Sequence, residues 1–239
     1  MSATPTIDRA YYDNTYYVGH LARLTRHDRF TRVKVQRAMS LLTPQAGELV
    51  VDLGSGVGTI TAHLSKIGVR VFSMDYSFAS LRLAARALKE IGRDEAFAGI
   101  CCDGGNIALA DCSIDGVTAV DFTEHIDDTL LDAVARDVFR ILKPGGRFVV
   151  YTPNNGHLFE ILKERNIVLK KDHSHIGLRP MSAYRETLSR AGFAIDEAYY
   201  EPTHIPVFGA VERMLMPLPV VGGLCRRRIC ISGRRPAVG

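Results

Sequence analysis

Asp52-Leu53-Gly54-Ser55-Gly56-Val57-Gly58 decides how this chain is read. It follows a short apolar run, Glu48-Leu-Val-Val-Asp52, which predicts a strand, and it leads into residues 59–66, which predict a helix. Glycine reaches positive φ without steric cost and lets backbone approach a ligand closely, while the next helix presents unpaired N–H groups to it. Strand, glycine loop and helix therefore predict a unit built around a small bound molecule. The glycines run G-x-G-x-G, with Thr59 where a dinucleotide fingerprint places its third glycine. Asp52 closes the strand two residues before the first glycine. A carboxylate there repels a pyrophosphate and suits a ligand that carries a positive charge and an amine.

Two further strands end in acids. Val69-Arg-Val-Phe-Ser-Met-Asp75 places a carboxylate 21 positions after Gly54, where the second strand of a βαβ unit meets the hydroxyls of a ribose. Ala98-Gly-Ile-Cys-Cys-Asp103-Gly104 ends in an acid placed to meet an adenine edge, and Asp115-Gly-Val begins a fourth strand. Phe139-Arg-Ile-Leu-Lys-Pro144-Gly145-Gly146-Arg-Phe-Val-Val-Tyr151 turns into a fifth. With these landmarks in this order, residues 41–193 resemble the S-adenosylmethionine-dependent methyltransferases of the doubly wound fold. The motif style is closest to the O-methyltransferases of ubiquinone biosynthesis. Ala108 stands where that family has proline, and Ile114 where it has an aromatic residue. The competing reading is a Rossmann domain that binds a nicotinamide cofactor, or none.

The resemblance implies roles for particular residues. Gly54, Ser55 and Gly56 lie under the methionine part of S-adenosylmethionine with Asp52 beside them. Asp75 and Tyr76 meet the ribose, Asp103 and Gly104 the adenine, and Val120 the face of strand four. Arg32, in the segment that lids the cofactor, is the candidate for its carboxylate, which a planar guanidinium suits. Tyr11, Tyr12, Tyr16 and Tyr17 either wall an aromatic acceptor or pack the prelude.

Composition bounds the function. The chain has 239 residues, 46% of them hydrophobic, enough for one substantial core in a single domain. A net charge of +4 is too small, and too dispersed, for a nucleic-acid stripe. No N-P-P-Y-like tetrad stands at the strand-four tip, which argues against resemblance to the adenine-amine methyltransferases of nucleic acids. The five cysteines show no C-x-x-C pair, and the first 30 residues lack an apolar signal core, so a cytoplasmic protein with reduced thiols is expected. Cys101 and Cys102 are expected in a buried strand.

Periodicity predicts alternating elements: helix 29–42, strand 48–52, helix 59–66, strand 69–74, helix 77–91, strand 97–102, strand 116–121, helix 128–142 and strand 147–152. A helix over 182–191 follows, with Ser182 as N-cap and Gly192 at its end, then strands 193–201 and 226–232. The fold class is α/β, a Rossmann-like, mostly parallel seven-stranded sheet with helices on both faces, the last strand antiparallel and a helical prelude over 1–42. Residues 43–239 form the catalytic domain, with an insertion at 202–225.

Methyl transfer asks mainly for alignment, plus a base where the acceptor must lose a proton. At the tip of strand four, Asp121, Glu124 and His125 match the E-x-x-E-H pattern of the ubiquinone-type enzymes with Asp for the first Glu. The resemblance implies a divalent ion there, such as Mg²⁺. His125 is also the leading proton acceptor, or else a structural residue of the turn. His173 and His175 sit two apart, so in an extended segment they point the same way, as metal ligands, as bases, or into solvent.

The stretch 205–224 is apolar and runs into Arg226-Arg-Arg. It is read as a cover over the acceptor mouth, as a peripheral membrane contact through 205–228 with the arginines facing anionic headgroups, as a dimer contact, or as core. The expectation is a methyltransferase for a small-molecule acceptor, at oxygen in preference to nitrogen, with no nucleic-acid partner and an open oligomeric state. The alternatives are a quinone- or lipid-modifying enzyme that docks on membranes, and a catalytically silent binding protein of the same fold.

Overall fold

The computed structural model describes residues 28–167 and 170–237. Helix α1 (Arg29–Leu42) starts where Asp28 accepts a hydrogen bond from the Thr31 N–H at 2.7 Å, and stops at Thr43, whose φ of 48° is left-handed. Then come β1 (Leu49–Leu53), α2 (Thr59–Lys66), β2 (Arg70–Asp75), α3 (Phe78–Glu90), β3 (Phe97–Cys101), β4 (Ile114–Val120), α4 (Asp128–Ile141), β5 (Leu142–Pro153), α5 (Leu158–Glu164), α6 (Met181–Arg190), β6 (Ala194–Glu201), α7 (Pro206–Leu215) and β7 (Arg228–Arg234).

The seven strands lie in the order β3-β2-β1-β4-β5-β7-β6. Strands β1 to β5 pair in parallel, and β7 runs antiparallel between β5 and β6. Side chains alternate across a strand, so each strand feeds two cores. Val50, Val149 and Cys230 join α1 and α2 residues on one face, whereas Val51, Phe148, Val150, Ile229 and Ile231 join α4 and α6 residues on the other. On α4, Leu131, Val134, Ala135, Val138 and Ile141 are buried at helical spacing. Each large member contributes about 1.5–3 kcal/mol through that burial. The order of connections reverses between β1 and β4, and the crevice at their carboxyl ends is where open α/β sheets bind ligands.

Three sequence expectations change locally. Ser182 is not the N-cap of α6: Pro180 holds that position without a side-chain hydrogen bond. Cys101 is exposed and Cys102 half-buried, because β3 is an edge strand. Strand β5 starts at Leu142 rather than 147, since the Pro144-Gly145-Gly146 turn is absorbed as an irregularity between the Ile114–Leu142 and Gly116–Arg147 pairs.

Candidate active site

A cavity of 280 Å³ opens at the carboxyl ends of β1 and β4, walled on its far side by Phe30 and Lys34 of α1. Its floor is the glycine loop. Gly54, Gly56 and Gly58 have φ of 69°, 52° and 84°. A Cβ on Gly54 would stand 2.5 Å from the Phe122 ring, so both conformation and space demand glycine there. The loop folds back on β2, with the Gly54 and Ser55 N–H groups both donating to the Met74 carbonyl at 2.8 and 2.9 Å. Asp75 braces it, one carboxylate oxygen accepting from the Gly56 N–H and the other from the Ser77 N–H, each at 2.8 Å.

Asp52 lines the cavity, yet its oxygens are largely engaged inside the fold. They accept from the Thr61 N–H at 3.0 Å, the Thr61 hydroxyl at 2.7 Å and the Thr118 hydroxyl at 3.1 Å. Burial pushes its carboxyl up to about 6 in spite of those bonds. Ser55 and Val120 are buried cavity walls, and Tyr76 is exposed beside Asp75. Asp103 is exposed and accepts from the Gly105 N–H at 3.0 Å, while Gly104, at φ 85°, packs against Leu53 and Phe122. Arg32 is exposed and outside the cavity wall; Lys34 of the same helix faces inward. Tyr11, Tyr12, Tyr16 and Tyr17 lie outside the described residues.

The tip of β4 carries the charge of the site. Asp121 has a left-handed φ of 53° and accepts from Arg228 at 2.6 Å and from Lys34 at 3.1 Å. Burial alone would raise its carboxyl, but the two cations hold it well below the ordinary carboxylate range. Glu124 is buried and accepts from the Thr152 hydroxyl at 2.9 Å; burial, and then the Asp121 charge, push it up to about 7. Of this adjoining pair, Glu124 therefore carries the proton.

His125 and His175 meet edge to face, ring centroids 5.1 Å apart. The Nδ1 of His125 lies 3.0 Å from the Ser174 carbonyl, so Nδ1 donates and Nε2 keeps the lone pair. His175 lines the cavity with Nε2 3.5 Å from Asp172, and its Nδ1 is buried without a hydrogen-bond partner among the described residues. Burial lowers both imidazoles below their ordinary value, so both are neutral at pH 7. His173 points away. The 170s segment is not extended, because Asp172 accepts from the Ser174 N–H and hydroxyl in a tight turn that leaves His173 exposed.

The potential ligand atoms gathered within 4.8 Å belong to Glu124, His125 and His175, with Asp121 outside the group. Two imidazoles and one carboxylate make a nitrogen-rich set, whereas Mg²⁺ favours oxygen donors. The group does not fit Mg²⁺. Lys34, Glu160 and Lys163 also line the cavity, and so do Arg227 and Arg228, which the sequence reading placed against anionic headgroups. Lys34 alone left a signal there, since it shares a helix face with Phe30 at i, i+4.

A family model described as a methyltransferase domain matches residues 25–198. The chain belongs to that family. This methyltransferase domain is 37% identical over 109 residues to a demethylmenaquinone methyltransferase of Corynebacterium kroppenstedtii, covering 46% of this chain and 43% of the relative. The match thus spans less than half of the relative's length. Among solved structures, the [4+2]-cyclase SpnF superposes with a TM-score of 0.72 at 15% identity, covering 99% of this chain and 100% of that one. Geranyl diphosphate C-methyltransferase from Streptomyces coelicolor, solved with Mg²⁺, geranyl diphosphate and S-adenosyl-L-homocysteine, gives 0.69 at 16% identity, covering 98% of this chain and all of the other. At such identities the methyltransferase domain shares the fold with both, and the cyclase shows that this fold also carries other chemistry.

Proposed function

We propose that this domain binds S-adenosylmethionine in the glycine-floored cavity and transfers its methyl group to a small-molecule acceptor, at oxygen in preference to nitrogen. One observation carries the reading: Ser55 in the loop that ends β1 and His175 both line this cavity, and the Ser55 hydroxyl and the His175 Nδ1 are buried with no hydrogen-bond partner among the described residues. A buried polar atom without a partner costs free energy, so two of them on residues that line one cavity favour a polar ligand there. The positive-φ glycines supply close backbone approach, and Asp75 holds the loop in shape. When bound, S-adenosylmethionine supplies an electrophilic methyl group on a sulfonium.

The protein's own part is positioning and proton removal. Asp172, 3.5 Å from His175 Nε2, favours the tautomer that carries its proton there, and Nδ1 is then the nitrogen that accepts the proton of an acceptor hydroxyl. Neutral His175 is already the base form at pH 7, so no prior deprotonation is needed. A second reading, transfer to an electron-rich carbon of an apolar acceptor, is favoured by the C-methyltransferase of Streptomyces coelicolor among the superposable structures.

Calorimetric titration with S-adenosylmethionine, then transfer of labelled methyl to phenols, amines and isoprenoid diphosphates, tests the proposal. His175→Gln should lower turnover of a hydroxyl acceptor by about 10²–10⁴-fold and leave cofactor affinity in place. Binding of NAD in place of S-adenosylmethionine would defeat the reading. Cofactor binding with no acceptor turned over would favour a silent binding protein.

A further inference from the structure

Helix α7 is inside out. Gly209 and Glu212 are its buried residues, one turn apart. A Cβ on Gly209 would stand 2.2 Å from the Thr203 carbonyl, so the helix backbone lies directly on the preceding loop. Glu212 reaches inward, one oxygen accepting from His157 at 2.9 Å and the other from the Thr203 N–H at 2.5 Å. Apart from Arg213, the large outward side chains are apolar: Val207 (74% exposed), Phe208, Val211 and Met214 (79%) on the helix, then Leu218, Val220 (92%) and Val221 after it. A contiguous apolar surface of this kind marks an interaction site.

The charges around it choose the partner. Glu212 is the one carboxylate in 205–224 and is buried; Arg213 is the one cation and is exposed. His204 precedes the stretch and packs on Phe30 at 4.9 Å, beside Arg29 and the capping acid Asp28. Other acids nearby are taken up: Glu160 by Lys163 and Arg227, Glu201 by Arg37, and Asp121 by Lys34 and Arg228. A second copy would bring the same Arg213 and no free carboxylate from this stretch to meet it.

We propose that this face docks on the surface of an anionic lipid bilayer, its side chains entering the headgroup boundary and Arg213 meeting lipid phosphates. Among the described residues no helix is long and apolar enough to cross a membrane, so the contact is one of lying on the surface. The arginines expected to face headgroups do not do so. Arg228 is buried against Asp121, Arg227 reaches Glu160, and Arg226 lies over the Tyr200 ring. Phe30, which lines the cavity, packs on His204 immediately before this stretch.

Co-sedimentation of the full chain with vesicles of phosphatidylcholine plus phosphatidylglycerol, and with phosphatidylcholine alone, tests this. The expected result is binding to the anionic vesicles that weakens as salt rises, and weaker binding to the neutral ones. Phe208→Asp with Met214→Asp should cut affinity at least about tenfold, the scale of one exposed apolar side chain returned to water. Arg213→Gln should cut it about fivefold on anionic vesicles only. Circular dichroism and S-adenosylmethionine titration identical to the unmodified chain would show that the variants remain folded. No sedimentation with anionic vesicles, or undiminished binding by the double variant, would overturn the proposal. So would a dimer in sedimentation equilibrium that Phe208→Asp dissociates, with no vesicle binding.

Discussion

Arg228, the first residue of β7, donates a hydrogen bond at 2.6 Å to Asp121 at the end of β4, across 107 residues of chain. Its guanidinium also lies over the rings of Phe30 and Tyr151, at 4.9 and 5.3 Å from their centroids. One side chain thus ties the left-handed turn at the β4 tip to the last strand and to α1. With the guanidinium removed, Asp121 keeps only Lys34, at 3.1 Å. Arg228→Ala should therefore destabilise the fold by about 1.5–3 kcal/mol in denaturant unfolding, the range for a hydrogen bond to a charged group. Lys34→Ala should cost less, because Arg228 still faces the carboxylate.

Stability should also fall as the medium goes from mildly acidic to neutral. Glu124 at about 7 and Asp52 at about 6 both lie above the unfolded carboxylate value of about 4. Raised folded values contribute stability that is fully present below about 4 and is lost as pH climbs through 6 to 7. Asp121 is depressed, so its contribution runs the other way, present above about 4 and lost in stronger acid. Glu124→Gln can still accept from the Thr152 hydroxyl. The Tm of that variant relative to the unmodified chain should rise between pH 5 and 8 by scanning calorimetry, roughly in step with the ionisation of Glu124.

Asp75→Ala should weaken S-adenosylmethionine binding by about 1.5–3 kcal/mol, the range for hydrogen bonds to a charged group. Part of that loss is indirect, since the carboxylate also fixes the Gly56 and Ser77 N–H groups. Calorimetric titration measures it, and Asp75→Asn, which keeps an acceptor, should fall between.

Glu212→Ala should loosen one element and leave the sheet intact. The substitution leaves the His157 Nε2–H and the Thr203 N–H unpaired inside the protein, at about 1–3 kcal/mol each. Amide exchange across residues 205–215 should quicken, with β1, β4 and β5 unchanged in the same experiment.

The glycine loop and the strand-ending acids could be read from the sequence because their partners are local: Gly54, Asp52 and Asp75 speak through nearby spacing. The core could be read through alternation, as at Val50 and Val51. Arg32 and Lys34 show where that reading ended. Two positions on a helix are turned about 200° from each other, so a small error of register moves a cation from the cavity to solvent. Asp121 with Arg228, and His125 with His175, are joined by topology, and no periodicity in the chain announces them. His173 and His175 were separated by a turn at Asp172 that the extended reading did not include.

Strand β7 occupies a gap between two strands made before it. As the chain leaves the ribosome, β5 and β6 wait for residues 228–234, and Ile229, Cys230 and Ile231 are missing from both cores until then. The sheet is in this sense a garment with its clasp sewn on last. A nascent chain stalled short of 228 presents an open edge along β5, with apolar Val149 and Val150 beside it. An edge of that kind pairs readily with other chains, so the interval before the clasp closes is when this protein most needs a chaperone.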